Sequence, residues 1–333
     1  MQEVILFSFH LRFVFYPTSQ LVSIIHYMTK PLFCCSNASF EGNYSINEAR
    51  LQQIIRQKKS SIKALNLNHC YWLPQRLITW SIENCVNLTS LSVLECKLKI
   101  PALVTLLTRL SQLVNLAFSV QSFNDLRKEV FQPCQDVLAH VKSLYLFYNS
   151  REISVMQYLG EHHTIFDHCE SLEHIHIGCA GMAIPELYRP IVASPAAMTN
   201  LRSMCMSSNI HSGAQMLFYG TLSQLPNDNI KFETLLMPNV NFPEFMRKQE
   251  FKACLENIGQ LRHLDIYGSK VSFADEFMQA LQRARELRYL NLGVSRVTDE
   301  QLAHIASHCR QLTSVNLFNC SEVLQSKVRR CIV

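Results

Sequence analysis

The chain is predicted to be an α/β solenoid, one array of stacked strand–helix units rather than two globular domains. Three observations predict it: a frame of apolar residues recurs ten times, each frame alternates as a strand does, and the stretches between frames carry helical stripes. In 333 residues the leading apolar positions are Ile62, Leu88, Leu113, Val141, Leu172, Leu201, Phe232, Leu261, Leu287 and Leu312, at spacings of 25 to 31 residues. A period of that size marks units that cannot bury an apolar face alone and must stack.

The unit is clearest between Leu287 and Cys320. Leu287, Leu290 and Leu292 are apolar, and alternation sends Leu290 and Leu292 to one face, Tyr289, Asn291 and Gly293 to the other. Thr298 can then cap a helix, with Gln301 three residues on completing a capping box. That helix carries Leu302, Ile305, Ala306 and Cys309 on one stripe, so it can cover the strand's apolar face. The next strand returns the frame at Leu312, Val315 and Leu317. Strand, helix and strand at this period form the unit of a leucine-rich repeat. The expected array is a curved horseshoe of about ten repeats, with parallel strands on its concave face and helices on its convex face.

Residues 1 to 45 do not fit the frame, although Leu32 to Asn37 offers a degenerate strand. From Ile46 to Lys58 the pattern is helical, with Asn47 as its cap and Leu51, Ile54 and Ile55 on one side, and this helix is expected to cover the open end of the first repeat. The solenoid then runs from 46 to 320. Its first repeats are regular, with helices suggested at Leu77 to Ile82 and Pro101 to Leu110; Pro101 suits a first helical turn because its missing N–H has no intrahelical partner there. Repeats four to seven are longer and less orderly. Pro185, Pro190 and Pro195 fall between Ile177 and Leu201, which predicts loop or short helix on the convex side. Residues 321 to 333 form an expected C-terminal cap through Val323, Leu324 and Val328.

Hydrophobic content of 48% and charged content of 17% suit a continuous core rather than disorder. The formal charge of +5 is mild and scattered over helix faces, which argues against a nucleic-acid partner. Val4 to Phe15 is apolar, but His10 and Arg12 interrupt it and it is too short to span a membrane. The 13 cysteines lack the spacing of a disulfide framework. Cys85, Cys169 and Cys309 each sit three residues before a leading leucine, while Cys70, Cys96 and Cys320 each sit eight after a leading position. Such repeated positions fit small buried side chains, kept reduced in the cytosol or nucleus.

Catalytic signatures are missing: there is no phosphate loop, nucleophile elbow, zinc-protease helix or dinucleotide glycine motif. The chain reads as a non-catalytic binding module with no cofactor. A cluster of His162, His163, His168, Cys169, His174, His176 and Cys179 suggests zinc by density alone, but the frame puts its members on different sides of the core. No metal site is expected.

The frame instead assigns the concave surface to positions two, four and six after each leading residue. Two patches there combine aromatic and histidine side chains on adjacent units. One holds Tyr145, Phe147, His174 and His176; the other holds His263, Asp265, Tyr267, Tyr289, Asn291, Asn316 and Phe318. Aromatic anchors ringed by polar groups are the composition of protein-binding hot spots, and a protein substrate is the expected partner.

Strands ending at Cys70, Cys96 and Cys320, the Val297-Thr298-Asp299 helix entry and the Cys309-x-x-Leu312 step resemble the cysteine-containing leucine-rich repeats of F-box/LRR proteins. The resemblance covers Ile62 to Cys320 and is looser between Val141 and Met237. It implies a substrate receptor of an SCF-type (cullin–RING) ubiquitin ligase, with the SCF adaptor and cullin as further partners. Residues 1 to 45 show no recognisable F-box, neither its Leu-Pro opening nor its helical apolar pattern, so a ligase-independent binding scaffold or inhibitor is the alternative.

Overall fold

The computed structural model describes residues 36–149, 164–182, 194–210, 233–236, 261–267, 278–279, 281–317 and 320. All of them belong to one compact unit, Phe33–Val333. The expected C-terminal cap lies outside the described residues, as do His162, His163 and Phe318.

Among the described residues, eleven parallel strands lie side by side in chain order: β1 (Asn37–Ser39), β2 (Ala64–Asn66), β3 (Ser90–Val93), β4 (Asn115–Val120), β5 (Ser143–Tyr148), β6 (His174–Met182), β7 (Ser203–Ile210), β8 (Thr234–Leu236), β9 (His263–Asp265), β10 (Tyr289–Asn291) and β11 (Ser314–Asn316). The sheet is open, with β1 and β11 at its edges. A strand order that never departs from chain order is what stacked repeats dictate, since each unit can pair only with its neighbours. The fold is a leucine-rich-repeat solenoid.

Register follows the frame. The third position after each leading residue forms one row, from Ala38 through Leu65, Leu91 and Leu116 to Leu290 and Val315. No residue of this row from Leu65 to Leu290 is more than 2% exposed, so the core is continuous along the array. A slip of one residue would turn the whole row outward, which fixes the register wherever this face is buried.

Helices close the units on the core side of the strands. Helix α1 (Glu48–Lys58) starts where Asn47 accepts a hydrogen bond from the Arg50 N–H, and it buries Leu51 and Ile55. Helix α2 (Gln75–Glu83) buries Leu77, Ile78 and Ile82, and α3 (Ile100–Leu107) has Pro101 in its first turn. Between β4 and β5 the connection breaks into short turns, among them α4 (Lys128–Phe131) and α5 (Gln135–Leu138). A further short helix, α6 (Pro195–Met198), precedes β7. Helix α7 (Asp299–His308) begins with the expected capping box: the Thr298 hydroxyl accepts from the Gln301 N–H at 3.3 Å, and the Gln301 side chain accepts from the Thr298 N–H at 3.0 Å.

Two expectations change. The sheet begins one strand earlier than the ten frames, at Asn37–Ser39, inside the stretch that lacks the frame. This strand is short and polar, so only its pairing with β2 reveals it. Consequently α1 links β1 to β2 and covers the first unit as an ordinary repeat helix, not as an end cap. The middle repeats also differ: most of their convex connections, Pro185 and Pro190 included, lie outside the described residues, and β4 to β7 carry the longest described strands, six to nine residues.

Cysteines at the eighth frame position do more than fill space. The Cys70 thiol donates to the Phe40 carbonyl at 3.3 Å, Cys96 to Leu67 at 2.7 Å and Cys320 to Leu292 at 3.1 Å. Each reaches back to the preceding strand end and satisfies a carbonyl there. All described cysteines are free thiols.

Candidate functional site: the concave strand face

One row of the outer strand face crosses all eleven strands. It opens polar with Ser39, Asn66 and Ser92, turns apolar and aromatic with Ala117, Tyr145, His176, Cys205 and Leu236, and closes polar with Asp265, Asn291 and Asn316.

The two predicted patches differ in character. In the middle, Tyr145 and His176 stack face to face at 3.9 Å and 9°. Tyr145, Phe147 and His176 are buried, and His174 is partly exposed. Alternation does place these side chains on the outer strand face, but it does not make them accessible. Close packing there depends on Gly178, where an added Cβ would come within 2.9 Å of both the Phe147 ring and the Tyr145 hydroxyl. Burial drives the His176 pKa from its ordinary 6.5 to about 3, so the ring is neutral.

The later patch is more open. His263, Tyr267 and Tyr289 are partly exposed around a buried polar centre of Asp265 and Asn291. Asp265 accepts from the Tyr267 N–H and from the Asn291 side-chain amide, both at 2.9 Å, and Asn291 in turn accepts from the Gly293 N–H at 3.0 Å. These bonds terminate the strands and fix the loops that follow them. Burial raises the Asp265 pKa, with the two donated hydrogen bonds acting against it. Burial and the Asp265 charge push the Tyr289 phenol up to about 12. His263 lies beside Tyr289, ring centroids 6.4 Å apart, and its pKa is lowered chiefly by burial. Gly293 makes room for Tyr267 as Gly178 does for Phe147, an added Cβ meeting the ring at 2.9 Å. Asn316 is partly exposed in the neighbouring edge strand. His263, Asp265, Tyr267, Tyr289 and Asn291 therefore form one surface, with Asn316 on its flank.

An ionic ladder at the strand starts was not anticipated. Lys142, Glu173, Arg202, Glu233 and Arg262 each stand immediately before the first residue of successive strands, β5 to β9. Their nitrogen–oxygen distances are 2.8 Å for Lys142–Glu173, 3.7 Å for Arg202–Glu173, 3.8 Å for Arg202–Glu233 and 3.7 Å for Arg262–Glu233. The sequence does hold the signal: read at the first position after the leading residues Val141 to Leu261, the charges alternate in sign.

Among the described residues no group of histidine, cysteine and acidic side chains could hold a metal ion, and no helix is long and apolar enough to cross a membrane. The described part of the histidine cluster is dispersed: His168 is buried with its ring nitrogen 3.2 Å from the Lys128 carbonyl, while His174 and His176 lie on β6. The surface offers shape, aromatic contact and charge, which suits binding another protein.

Comparisons with known proteins return remote structural likenesses and one family match. Solved structures similar to the chain include an internalin from Listeria monocytogenes (15% identity over 75% of this chain and 67% of that chain, TM-score 0.42). Another is the leucine-rich repeat-containing protein LegL7 from Legionella pneumophila (12% identity, 89% and 96%, TM-score 0.47). A third is TLR13 in complex with ssRNA13 (14% identity, 82% and 42%, TM-score 0.40). The fold assignment rests on the eleven-strand register and not on these neighbours. No curated protein matches the chain. Residues 51–153, from within α1 to just past β5, match the family model described as F-box/LRR-repeat protein 18, LRR, so over that stretch the repeats are similar to those of F-box/LRR-repeat proteins, as the strand-ending cysteines are.

Proposed function

We propose that this chain is the substrate-recognition subunit of an SCF-type ubiquitin ligase and holds its protein substrate on the concave strand face of the late rungs. The observation that carries the ligase part is the family match over residues 51–153. The placement on the late rungs is supported by the partly exposed aromatic surface of His263, Tyr267 and Tyr289 around a fixed polar centre. The chain supplies no chemistry of its own in this reading; it positions a substrate for a partner enzyme. Free thiols throughout the described residues suit the reducing cytosol or nucleus.

The test is affinity purification of the full chain from cells, with mass spectrometry for the SCF adaptor and cullin. Both are expected to co-purify, with the wild type and equally with a Tyr267→Ala, Tyr289→Ala double variant, while the substrate is lost from the variant alone. Recovery of neither adaptor nor cullin with the wild type would end the ligase reading and leave a binding scaffold.

A further inference from the structure

The ionic ladder stops one strand too early. From Lys142 to Arg262 each cation is followed on the next strand by an acid and each acid by a cation, so Glu173 and Glu233 are each shared by two cations. On β10 the alternation calls for an acid beside Arg262, and the chain places Arg288 there. The Tyr289 and Arg288 N–H groups both donate to the Arg262 carbonyl, at 3.0 and 2.8 Å, so the two arginines sit on adjacent strands in fixed register. Neighbouring strands are about 4.8 Å apart, and like charges at that spacing repel. Among the described residues no carboxylate lies within ion-pair distance of Arg288. Arg285 and Arg310, both exposed and each two residues before a leading leucine, add positive charge ahead of β10 and β11. Opposing them is Glu286, which is exposed and accepts a hydrogen bond from Gln311.

This charge borders the aromatic surface directly. Arg262 and Arg288 are followed in sequence by His263 and Tyr289, the tilted ring pair of the late patch. Tyrosine and arginine together are the side chains that most often dominate binding energy.

We propose that the starts of β9 and β10 are a docking point for an acidic segment of a protein partner, one of whose carboxylates lies between Arg262 and Arg288 and continues the ladder. The proposal rests on the reading of the late strand face as the substrate-binding surface. A carboxylate is the group to expect because every other cation of the ladder has one on an adjacent strand, Glu173 beside Lys142 and Arg202 and Glu233 beside Arg202 and Arg262, whereas Arg288 faces only Arg262. Partner residues next to that carboxylate lie over His263 and Tyr289.

The experiment titrates the full chain against a fluorescently labelled glutamate-rich peptide, the same peptide with glutamine throughout, and a phosphoserine peptide. Arg288→Glu weakens binding of the glutamate peptide by about tenfold or more. Lys97→Glu, the same charge change at an exposed site on an early loop, leaves it within about twofold, and the glutamine peptide does not bind. The thermal midpoint of Arg288→Glu equals or exceeds that of the wild type, because the new carboxylate restores the alternation beside Arg262. Arg288→Gln serves as a second variant and weakens binding in the same direction. The proposal is overturned by equal affinity in wild type and both Arg288 variants, by equal loss in Lys97→Glu, by binding of the phosphoserine peptide alone, or by no binding to the wild type. Each of these results is independent of adaptor and cullin co-purification, so the ligase reading and the acidic docking point fail separately.

Discussion

In the middle of the sheet β5, β6 and β7 run for six to nine residues, and Tyr145, Phe147 and His176 are packed into one another on the strand face. At the far end β9, β10 and β11 run for three residues each, and the same frame positions carry a hydrogen-bonded Asp265–Asn291 centre with partly exposed aromatics around it. Identical periodicity thus yields a closed surface in one place and an accessible one in another. What differs is the neighbour. Where successive rungs present large flat rings and a glycine, the rings close over each other; where they present acid and amide groups, the strand ends are tied down and the rings stay at the margin.

This contrast breaks first on the tyrosines. Tyr145→Ala removes a buried ring and its stacking on His176 and is expected to lower stability by about 3 kcal/mol. Tyr267→Ala, at a partly exposed site, is expected to cost under about 1 kcal/mol. Chemical denaturation of the two variants checks this, and equal losses would erase the distinction between the patches.

The glycines sharpen it. Gly178→Ala forces a methyl against Phe147 and Tyr145 where neither ring has space to yield, at an expected cost of about 2 kcal/mol. Gly293→Ala meets the Tyr267 ring, which can swing outward, and the Asn291 Oδ1 at 3.3 Å, so a smaller cost of about 1 kcal/mol is expected.

Histidines give the smallest effect near neutral pH and a difference in sign. His176 has its folded pKa depressed from 6.5 to about 3. Between those values the unfolded chain binds a proton that the folded chain refuses, so stability falls as pH drops below 6.5, by about 1.4 kcal/mol per pH unit. His69, on an early rung, behaves oppositely. Its ring nitrogen lies 2.6 Å from Glu95, and that hydrogen bond, with the Glu95 and Glu41 charges, outweighs burial and raises its pKa. Its contribution is fully present below pH 6.5 and disappears as pH rises through the raised value. Thermal melts across pH should therefore show His176→Phe gaining on the wild type in acid and His69→Gln losing to it, the difference for His69→Gln fading above neutrality.

The architecture was legible because its physics is one-dimensional: a period, an alternating face and a helical stripe suffice to order the strands. Strand β1, which the sequence offers as a degenerate strand at Leu32 to Asn37, is found at Asn37–Ser39, because Asn37-Ala38-Ser39 has no leading leucine to set its position and only its pairing with β2 does so. The positions of the candidate site were equally legible, since Tyr145, His176, Asp265 and Asn291 all lie in the row the frame assigns them. Their burial was not, because it depends on the size of side chains one rung away. The ionic ladder could have been found by reading charge down a single frame position across rungs, a direction in which chain order hides the pattern.

The thiols that reach back to the preceding rung give the array a built-in gauge. Burial holds Cys70 and Cys309 up to about 11 and Cys96 up to about 12, and only a thiolate attacks an alkylating reagent readily. Each of these thiols also donates to a carbonyl: Cys70 to Phe40, Cys96 to Leu67 and Cys309 to Leu281. Modification at a given cysteine must therefore wait for its own rung to part from the carbonyl it holds. Timed labelling would map local opening rung by rung, and would tell whether this solenoid frays from one end, from the other, or at its middle.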